Sequence, residues 1–147
     1  MRKRFLIAAA ILLSPCHAAL AEDIVGHVKN INGEATVIRA GQTQALREGA
    51  NLQTGDRIST TARSALGLTL RDDTTISLGA NSELVVDEML FEPAANQLGL
   101  GLSMNKGTFA LTTGQIAKLA PDSLKIATPA MSIGIRGTTI LVEASDD

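Results

Sequence analysis

Apolar and polar positions alternate through the middle of the chain, from residue 66 to residue 86. Turn-forming residues divide the stretch into three short runs, in which every second position is apolar: Leu66, Leu68 and Leu70; Ile76 and Leu78; Leu84 and Val86. A period of two puts these positions on one face of a strand, so the pattern predicts three half-buried strands. Their eight-residue repeat leaves no room for helices and is typical of a meander or a short β-roll.

The flanking segments show further strand signals. Asn32-Gly33 lies between two β-rich runs and predicts a hairpin, because both turn residues tolerate positive φ. Alternating leucines predict a strand from residue 98 to residue 102, and Thr108–Thr112 predicts its return after a turn at 105–107. A loop is expected around Pro93, and a short helical turn at 116–119 should end before Pro121.

The segment 126–142, IATPAMSIGIRGTTILV, predicts the strand that closes the fold. Its apolar positions change parity between Ile135 and Ile140, so we expect a one-residue bulge near Gly137. Gly134 and Gly137 are candidates for close backbone approach in this strand. The whole pattern predicts an all-β single domain of short antiparallel strands that form a β-roll or a sandwich-like meander.

The first 21 residues have the three parts of a signal peptide: basic residues at positions 2–4, an apolar run at 5–13 and a small-x-small site at 19–21. We expect cleavage before Glu22, a mature domain at 22–147 without membrane insertion, and a periplasmic or secreted location. A retained anchor is the alternative, but the apolar run is shorter than the roughly 20 residues that span a bilayer. A lipoprotein acylated at Cys16 is a second alternative, which Pro15 disfavours.

Removal of residues 1–21 leaves 10 basic and 15 acidic residues, a net charge of −5. This charge argues against nucleic acid and anionic lipid as partners. The mature chain would contain no Cys, no Trp and no Tyr, and His27 would be its one histidine. Its core must therefore be aliphatic, and both thiol chemistry and soft-metal sites are disfavoured.

Catalytic chemistry finds little support in the remaining residues. A Ser-His-Asp triad would need His27, for which a position on a strand face is the simpler interpretation. Asp72-Asp73 predicts a turn, with a weak Ca²⁺ site as the alternative, although no EF-hand pattern surrounds it. Asp87 and Glu88 are neighbours on a strand and point to opposite faces. We therefore expect no cofactor, no metal and no enzymatic activity.

Arg136 is the one charge on the closing strand. Its planar fork suits a bidentate bond to a turn carboxylate, and Asp56, Asp72 and Asp73 are the candidate partners of such a structural clamp. A contact to a ligand or protein partner and an idle surface charge are the alternatives.

Five motifs in order resemble the FecR-type periplasmic domain over almost all of residues 22–147. They are G-x-V with the Asn-Gly turn at 26–38, LREGANLQTGDRIST at 46–60, LTLRDDTTISLGANSEL at 68–84, NKGTFALTTG at 105–114 and IATPAMSIGIRGTTILV at 126–142. One departure is Asp72-Asp73-Thr74, where the family has Asp-Gly-Thr. The best-known members carry a cytoplasmic anti-sigma segment and a membrane helix, neither of which this sequence shows. The resemblance therefore implies a stand-alone envelope module that does not itself act on a sigma factor.

Two function classes follow. The first is a non-catalytic periplasmic protein-interaction or signalling-accessory module, which takes an envelope protein partner along an edge strand by β-augmentation. The candidate surfaces are the first strand, 24–31, and the loop around Pro93. The second is a small-ligand or glycan-binding envelope protein, although the usual aromatic sugar platforms are missing. The sequence indicates no particular oligomeric state.

Overall fold

The computed structural model describes residues 23–129, 131–136 and 139–144, and for 131–136 it describes the strand pairing alone. The strands are β1 Ile24–Asn32, β2 Ala35–Arg39, β3 Gln42–Ala45, β4 Asn51–Gln53, β5 Arg57–Thr60, β6 Ala65–Leu70, β7 Thr75–Leu78, β8 Glu83–Glu92, β9 Gln97–Thr112, β10 Leu124–Ala127, β11 Met131–Arg136 and β12 Thr139–Ala144. The helix α1 spans Gln115–Leu119, and short 3-10 helices span Pro93–Ala95 and Pro121–Ser123.

The turn predicted at 105–107 is wrong, because residues 97–112 form one long strand, β9, which belongs to two sheets at once. Its first part pairs with β8 and β10 in sheet B, which runs in the order β3-β2-β5-β8-β9-β10. Its last part pairs with β7 and β12 in sheet A, which runs β4-β1-β6-β7-β9-β12-β11. The β9–β10 pair is parallel, and the other pairs of described strands are antiparallel. The result is a curled half-barrel and an all-β single domain, which confirms the predicted fold class.

The crossover from one sheet to the other lies at Gly107. This residue has a φ of +100°, and a Cβ placed there would come within 2.1 Å of Oγ of Ser82. Glycine is the residue that tolerates both the positive φ and the close approach. The backbone N–H of Thr108 donates to the same Ser82 hydroxyl at 3.1 Å, which ties β9 to the turn before β8.

The core between the two sheets is almost entirely aliphatic, as the composition predicts. Its largest fully buried members are Leu52, Ile58, Leu66, Leu68, Ile76, Leu78, Leu84, Leu100, Leu102, Met104, Leu111 and Ile116. Phe109 contributes an aromatic ring. Since interior side chains stabilise a fold roughly in proportion to the apolar area they bury, this cluster supplies the main favourable term in the stability of the domain.

The period-two prediction is confirmed strand by strand. Leu68 on β6 lies directly opposite Ile76 on β7, and both are fully buried. The repeat does not extend to Leu84, which lies in sheet B opposite Ile58 and Met104. The chain changes sheets at the turn after β7, so the eight-residue interval continues while the pairing partner changes.

The predicted hairpin at Asn32-Gly33 is wrong. The chain turns there, and Gly33 has a φ of +88°, but β1 pairs with β4 and β6 while β2 pairs with β3 and β5. The turn therefore passes the chain from sheet A to sheet B. The first hairpin is β2–β3, and Ala40-Gly41, both with positive φ, forms its two-residue turn.

The closing segment forms two strands where one bulged strand was predicted. Strands β11 and β12 pair antiparallel, with Ile133 opposite Val142 and Ile135 opposite Ile140. Directly opposite positions share a face of a sheet, so the antiparallel pairing of β11 with β12 accounts for the change of parity without a bulge. Gly137, where the bulge was expected, lies outside the described residues.

The first strand is not an open edge, which corrects its assignment as a docking edge. β1 pairs with β6 on one side and with β4 on the other, and the N–H of Gly49 extends the second contact to the carbonyl of Val28 at 2.8 Å. The loop around Pro93 is a short 3-10 turn at the tip of the β8–β9 hairpin. The predicted helical turn before Pro121 is α1, which is confirmed.

Candidate functional site

Asp56, a candidate clamp residue, is bound by an arginine that the sequence pattern does not single out. Nε of Arg39 donates to Oδ1 of Asp56 at 2.8 Å and Nη2 donates to Oδ2 at 2.6 Å. The N–H of Gln53 also donates to Oδ2. Asp56 is 1% exposed, so this is a bidentate, largely buried ion pair that fastens the β4–β5 turn to β2.

Asp72 is fully buried and has a structural role. Its carboxylate accepts bonds from the N–H and the hydroxyl of Thr74, and from the N–H of Ile116 at 3.1 Å. These contacts join the β6–β7 turn to the start of α1. Asp73 is exposed and accepts a bond from Nε2 of Gln115 at 2.8 Å, which strengthens the same junction.

Arg136 ends β11 opposite Thr139, and its side chain lies outside the described residues. The clamp between Arg136 and an acid therefore stays a prediction. Gly134 lies opposite Leu141 in the same strand pair. The pairing places Arg136 three strands from Thr75, which follows the Asp72-Asp73 turn, at a separation of roughly 14 Å across the sheet.

A row of polar residues crosses the outer face of sheet A, and we call it the threonine row. Its members face one another in register on consecutive strands: Thr139 on β12, Thr112 on β9, Thr75 on β7, Thr69 on β6, His27 on β1 and Asn51 on β4. Directly opposite residues share a face, so four hydroxyls lie side by side at the ordinary strand spacing of about 4.8 Å. His27 is thus part of an exposed polar row.

A shallow trough runs beside the threonine row. Its floor is the next cross-strand row, in which Ala110, Ser77 and Gly67 carry small or no side chains. Two depressions of about 400 and 370 Å³ meet at Ser77, and they extend to Leu141 at one end and to Asn30 at the other. The trough therefore has an apolar end at Leu141 and an amide-bearing end at Asn30, and Glu143 also lines the first depression.

The outer edge of sheet B at β10 is the second exposed feature. Within the described residues β10 pairs with β9 alone, with Leu124 opposite Leu100 and Lys125 opposite Gly101. Leu124 and Ile126 are half-buried against the core, whereas Lys125 and Ala127 are exposed. A small depression beside the strand includes Glu88 and Asp122.

Thr128 directly follows β10 and has an unusual environment. Its hydroxyl oxygen is buried and has no hydrogen-bond partner within the described part of the chain. A buried polar atom without a partner costs about 1–3 kcal/mol, so such atoms are rare in folded proteins. Among the described residues, the end of β10 therefore combines a polar group without a partner and a strand edge without a neighbour.

The described residues do not bring together a recognisable catalytic or metal-binding group. No cluster of three or more His, Cys, Asp or Glu side chains suited to a metal ion occurs among them. None of their helices is long and apolar enough to cross a membrane. The surfaces that remain, a strand edge and a flat hydroxyl-bearing face, are suited to binding.

A family model described as FecR protein matches residues 56–147, which is more than half of the chain. The chain belongs to the FecR family. This family is a signalling-related domain of the cell envelope and is generally not enzymatic. The match to the FecR model begins at Asp56 and covers β5 to β12, so the β10 edge lies inside the family region and β1 to β4 lie before it. Searches of curated proteins and of solved structures find no match to this FecR-family chain.

Sequence reasoning missed Arg39 and the threonine row for different reasons. Arg39 lies 17 residues from Asp56, and nothing in either local pattern links them. The threonines of the row are single residues on separate strands, which only the register aligns. The Thr69 and Thr75 pair was accessible in principle, because each lies three residues from Asp72 in the predicted turn.

Proposed function

We propose that this FecR-family chain is a non-catalytic, periplasmic signalling-accessory module that binds an extended segment of an envelope protein along β10. The observation that carries the proposal is the outer edge of β10, which pairs with no other strand among the described residues and lies within the family-matched region. An edge strand presents alternate N–H and C=O groups to its surroundings, and an added strand from a partner satisfies them.

The side chains along β10 give such a partner a defined chemistry. Leu124 and Ile126 are only half-buried, so a partner strand that carries apolar residues on the inner face would complete their burial. Lys125 on the outer face lies near the carboxylates of Glu88 and Asp122. The partner segment should therefore be an alternating apolar and polar strand, with mixed charge on its polar positions.

The location follows from the predicted signal peptide at residues 1–21. Export with cleavage before Glu22 predicts that the protein released by osmotic shock has the mass of residues 22–147 without an acyl group. A mass that retains Met1 would contradict export, and a diacylated Cys16 would contradict the absence of membrane attachment.

Site-specific cross-linking in cells tests the β10 edge. A photo-reactive side chain at Lys125 or Ala127 should give a discrete adduct with an envelope protein, because both residues are exposed on the edge strand. The same group at Arg63, an exposed turn residue, is the matched control. Adducts at Arg63 with none at Lys125 or Ala127 would move the partner site away from β10.

The trough on sheet A supports a second candidate function, the binding of a small ligand or glycan. Ser77, Thr108 and Asn30 line it, and their hydroxyls and amide offer donors and acceptors suited to sugar hydroxyls. Titration with soluble envelope oligosaccharides should shift the amide NMR signals of Ser77 and Ala110, and Ser77→Phe, which fills the trough, should abolish the shifts. Unchanged spectra of the parent protein at millimolar oligosaccharide would rule this function out.

A further inference from the structure

The other outer edge of sheet B, at β3, is exposed along its whole length. All four residues of β3, QTQA, are exposed, and within the described residues the strand pairs with β2 alone. Proteins usually protect such an edge with a charge, a proline or a bulge. β3 has none of these, since its side chains are two glutamines, a threonine and an alanine.

The hydrogen bonding of the β2–β3 pair shows which backbone groups face outward. The N–H of Leu46, directly after β3, donates to the carbonyl of Ala35 at 2.9 Å, so Leu46 faces β2. Residues alternate along an antiparallel strand, and therefore Gln44 and Gln42 also face β2. Thr43 and Ala45 direct their N–H and C=O groups to the open side.

We propose that β3 pairs antiparallel with β3 of a second copy of this chain and joins the two B sheets into one. If Gln44 lies on the two-fold axis, Thr43 of each copy faces Ala45 of the other. Each such pair exchanges both of its N–H···O bonds, so every outward group of Thr43 and Ala45 is satisfied. One register thus uses the whole edge.

The side chains of β3 are complementary to themselves in this register. The two Gln44 residues face each other, and a primary amide is both donor and acceptor, so it pairs with its own copy. Arg47 of one copy lies opposite Gly41 of the other, so like charges do not meet. Thr43 neighbours Ile38, which is 38% exposed and would be covered further by the added strand.

The contact is short, and its association should be weak and depend on protein concentration. A four-residue edge buries much less than the roughly 1,200 Å² of a standard interface. A second copy is nevertheless the occupant that the edge fits best, because a twofold-symmetric contact must match itself in both hydrogen bonding and charge. The edge is separate from β10, so self-association and partner binding are independent.

Disulfide trapping tests the register directly. In a chain carrying Cys16→Ser, an introduced cysteine is the only thiol. The two copies of Gln44→Cys would lie about 4.5–5.5 Å apart at Cα, which matches disulfide geometry, so mild oxidation should give a covalent dimer. The two copies of Gln42→Cys, an equally exposed residue on the same strand, would lie roughly 14 Å apart and should remain monomeric.

Charged substitutions at Gln44 provide a second test, in which no covalent bond is formed between the two copies. Gln44→Lys and Gln44→Glu should each weaken self-association in sedimentation by about 100-fold, because like charges face each other at the axis. An equimolar mixture of the two variants should restore the dimer, and Gln42→Lys should leave it unchanged. Equal trapping of both cysteine variants, a parent chain that is monomeric up to about 1 mM, or no restoration in the mixture would overturn the proposal.

Discussion

Arg39 and Asp56 form a two-point ion pair in which the carboxylate is buried and the guanidinium is partly exposed. The distances are 2.8 Å from Nε to Oδ1 and 2.6 Å from Nη2 to Oδ2, and the exposed fractions are 29% for Arg39 and 1% for Asp56. The guanidinium also donates to the carbonyl of Asn51 at 3.2 Å. One side chain therefore holds three segments, β2, β4 and the β4–β5 turn.

Loss of the Arg39–Asp56 ion pair should lower the stability of the fold. Arg39→Ala leaves a buried carboxylate without its cation, so we expect the free energy of unfolding to fall by about 2–4 kcal/mol. Arg39→Lys should recover only part of the loss, since an ammonium group lacks the planar fork. Urea unfolding measures both.

The matched control for Arg39 is Arg57, which pairs with Glu83 at 3.2 Å and is 52% exposed. Arg57→Ala should cost no more than about 1 kcal/mol, as is usual for exposed pairs. Equal losses of unfolding free energy for Arg39→Ala and Arg57→Ala would show that the buried Arg39 pair stabilises the fold no more than the exposed Arg57 pair.

Asp72→Asn tests the buried carboxylate at the junction of the β6–β7 turn and α1. Both oxygens of Asp72 accept bonds, from Thr74 and from the N–H of Ile116. An amide nitrogen in place of either oxygen would face a donor, so we expect a loss of about 2–3 kcal/mol in chemical unfolding. Asp73→Asn is the control, because Asp73 is exposed and its single bond to Gln115 can be made by an amide oxygen. A larger effect at position 73 than at 72 would contradict this assignment.

Gly114→Ala should damage the same junction by a different route. A Cβ at Gly114 would lie 2.3 Å from the carbonyl oxygen of Asp72 and 2.4 Å from the nitrogen of Thr74, both of them backbone atoms. The backbone must shift, and we expect a destabilisation of about 2 kcal/mol or more in thermal unfolding. Gly101→Ala, whose Cβ would meet Glu88 at an ordinary 3.5 Å, should change stability by less than about 1 kcal/mol. Similar melting of both variants would refute the steric explanation.

Deletion from Met131 onward should prevent folding. It removes β11 and β12, and with them all six β9–β12 residue pairs and the buried side chains of Val142 and Ala144. Each large buried side chain contributes roughly 1.5–3 kcal/mol, a substantial part of the stability of a small domain. The neighbours Val142 and Leu141, which are 3% and 51% exposed, give a finer comparison, since only Val142→Ala should cost stability. A cooperative unfolding transition in the truncated chain would show that the hairpin is dispensable.

Arg136 supplies the last prediction. If it clamps an acidic turn, Arg136→Ala and Arg136→Lys should both lower the melting temperature, because lysine cannot make a bidentate bond. Melting curves that match the parent for both variants would remove the clamp. Unchanged melting together with a lost cross-link at β10 would favour a partner contact.

Much of the fold is predictable because local alternation encodes which face of a strand is buried. Leu68 and Ile76 were identified in this way, and the structure pairs them. Pairing partners are harder to predict, because a turn signal specifies a reversal of direction and not the strand that follows in the sheet. Asn32-Gly33 turns the chain between sheets, whereas Ala40-Gly41 makes the hairpin. The parity change after Ile135 has the same limit, since a bulge within one strand and the pairing of two antiparallel strands both explain it.

Most of the candidate surfaces could not be predicted from the sequence. An edge strand is defined by the absence of a neighbour, which depends on the order of all the strands. β1, with its β-branched residues, has the stronger strand pattern and is internal, while the polar β3 and the short β10 are the outer strands of sheet B. The register of sheet A likewise aligns threonines that lie up to 70 positions apart in the chain, from Thr69 to Thr139.

The sharing of β9 by both sheets has a consequence for the time course of folding. No strand connects the two sheets until residues 97–112 are available, and sheet A also waits for β12, which pairs with β9 from residue 139 onward. Contacts between such distant residues are slow to form, because a long loop must close before any pair is stabilised. An N-terminal fragment that ends before β9 would contain part of each sheet but not the strand that the two sheets share. The chain should therefore stay unfolded until nearly all of it has been synthesised, which is the state that the proposed export across a membrane would require.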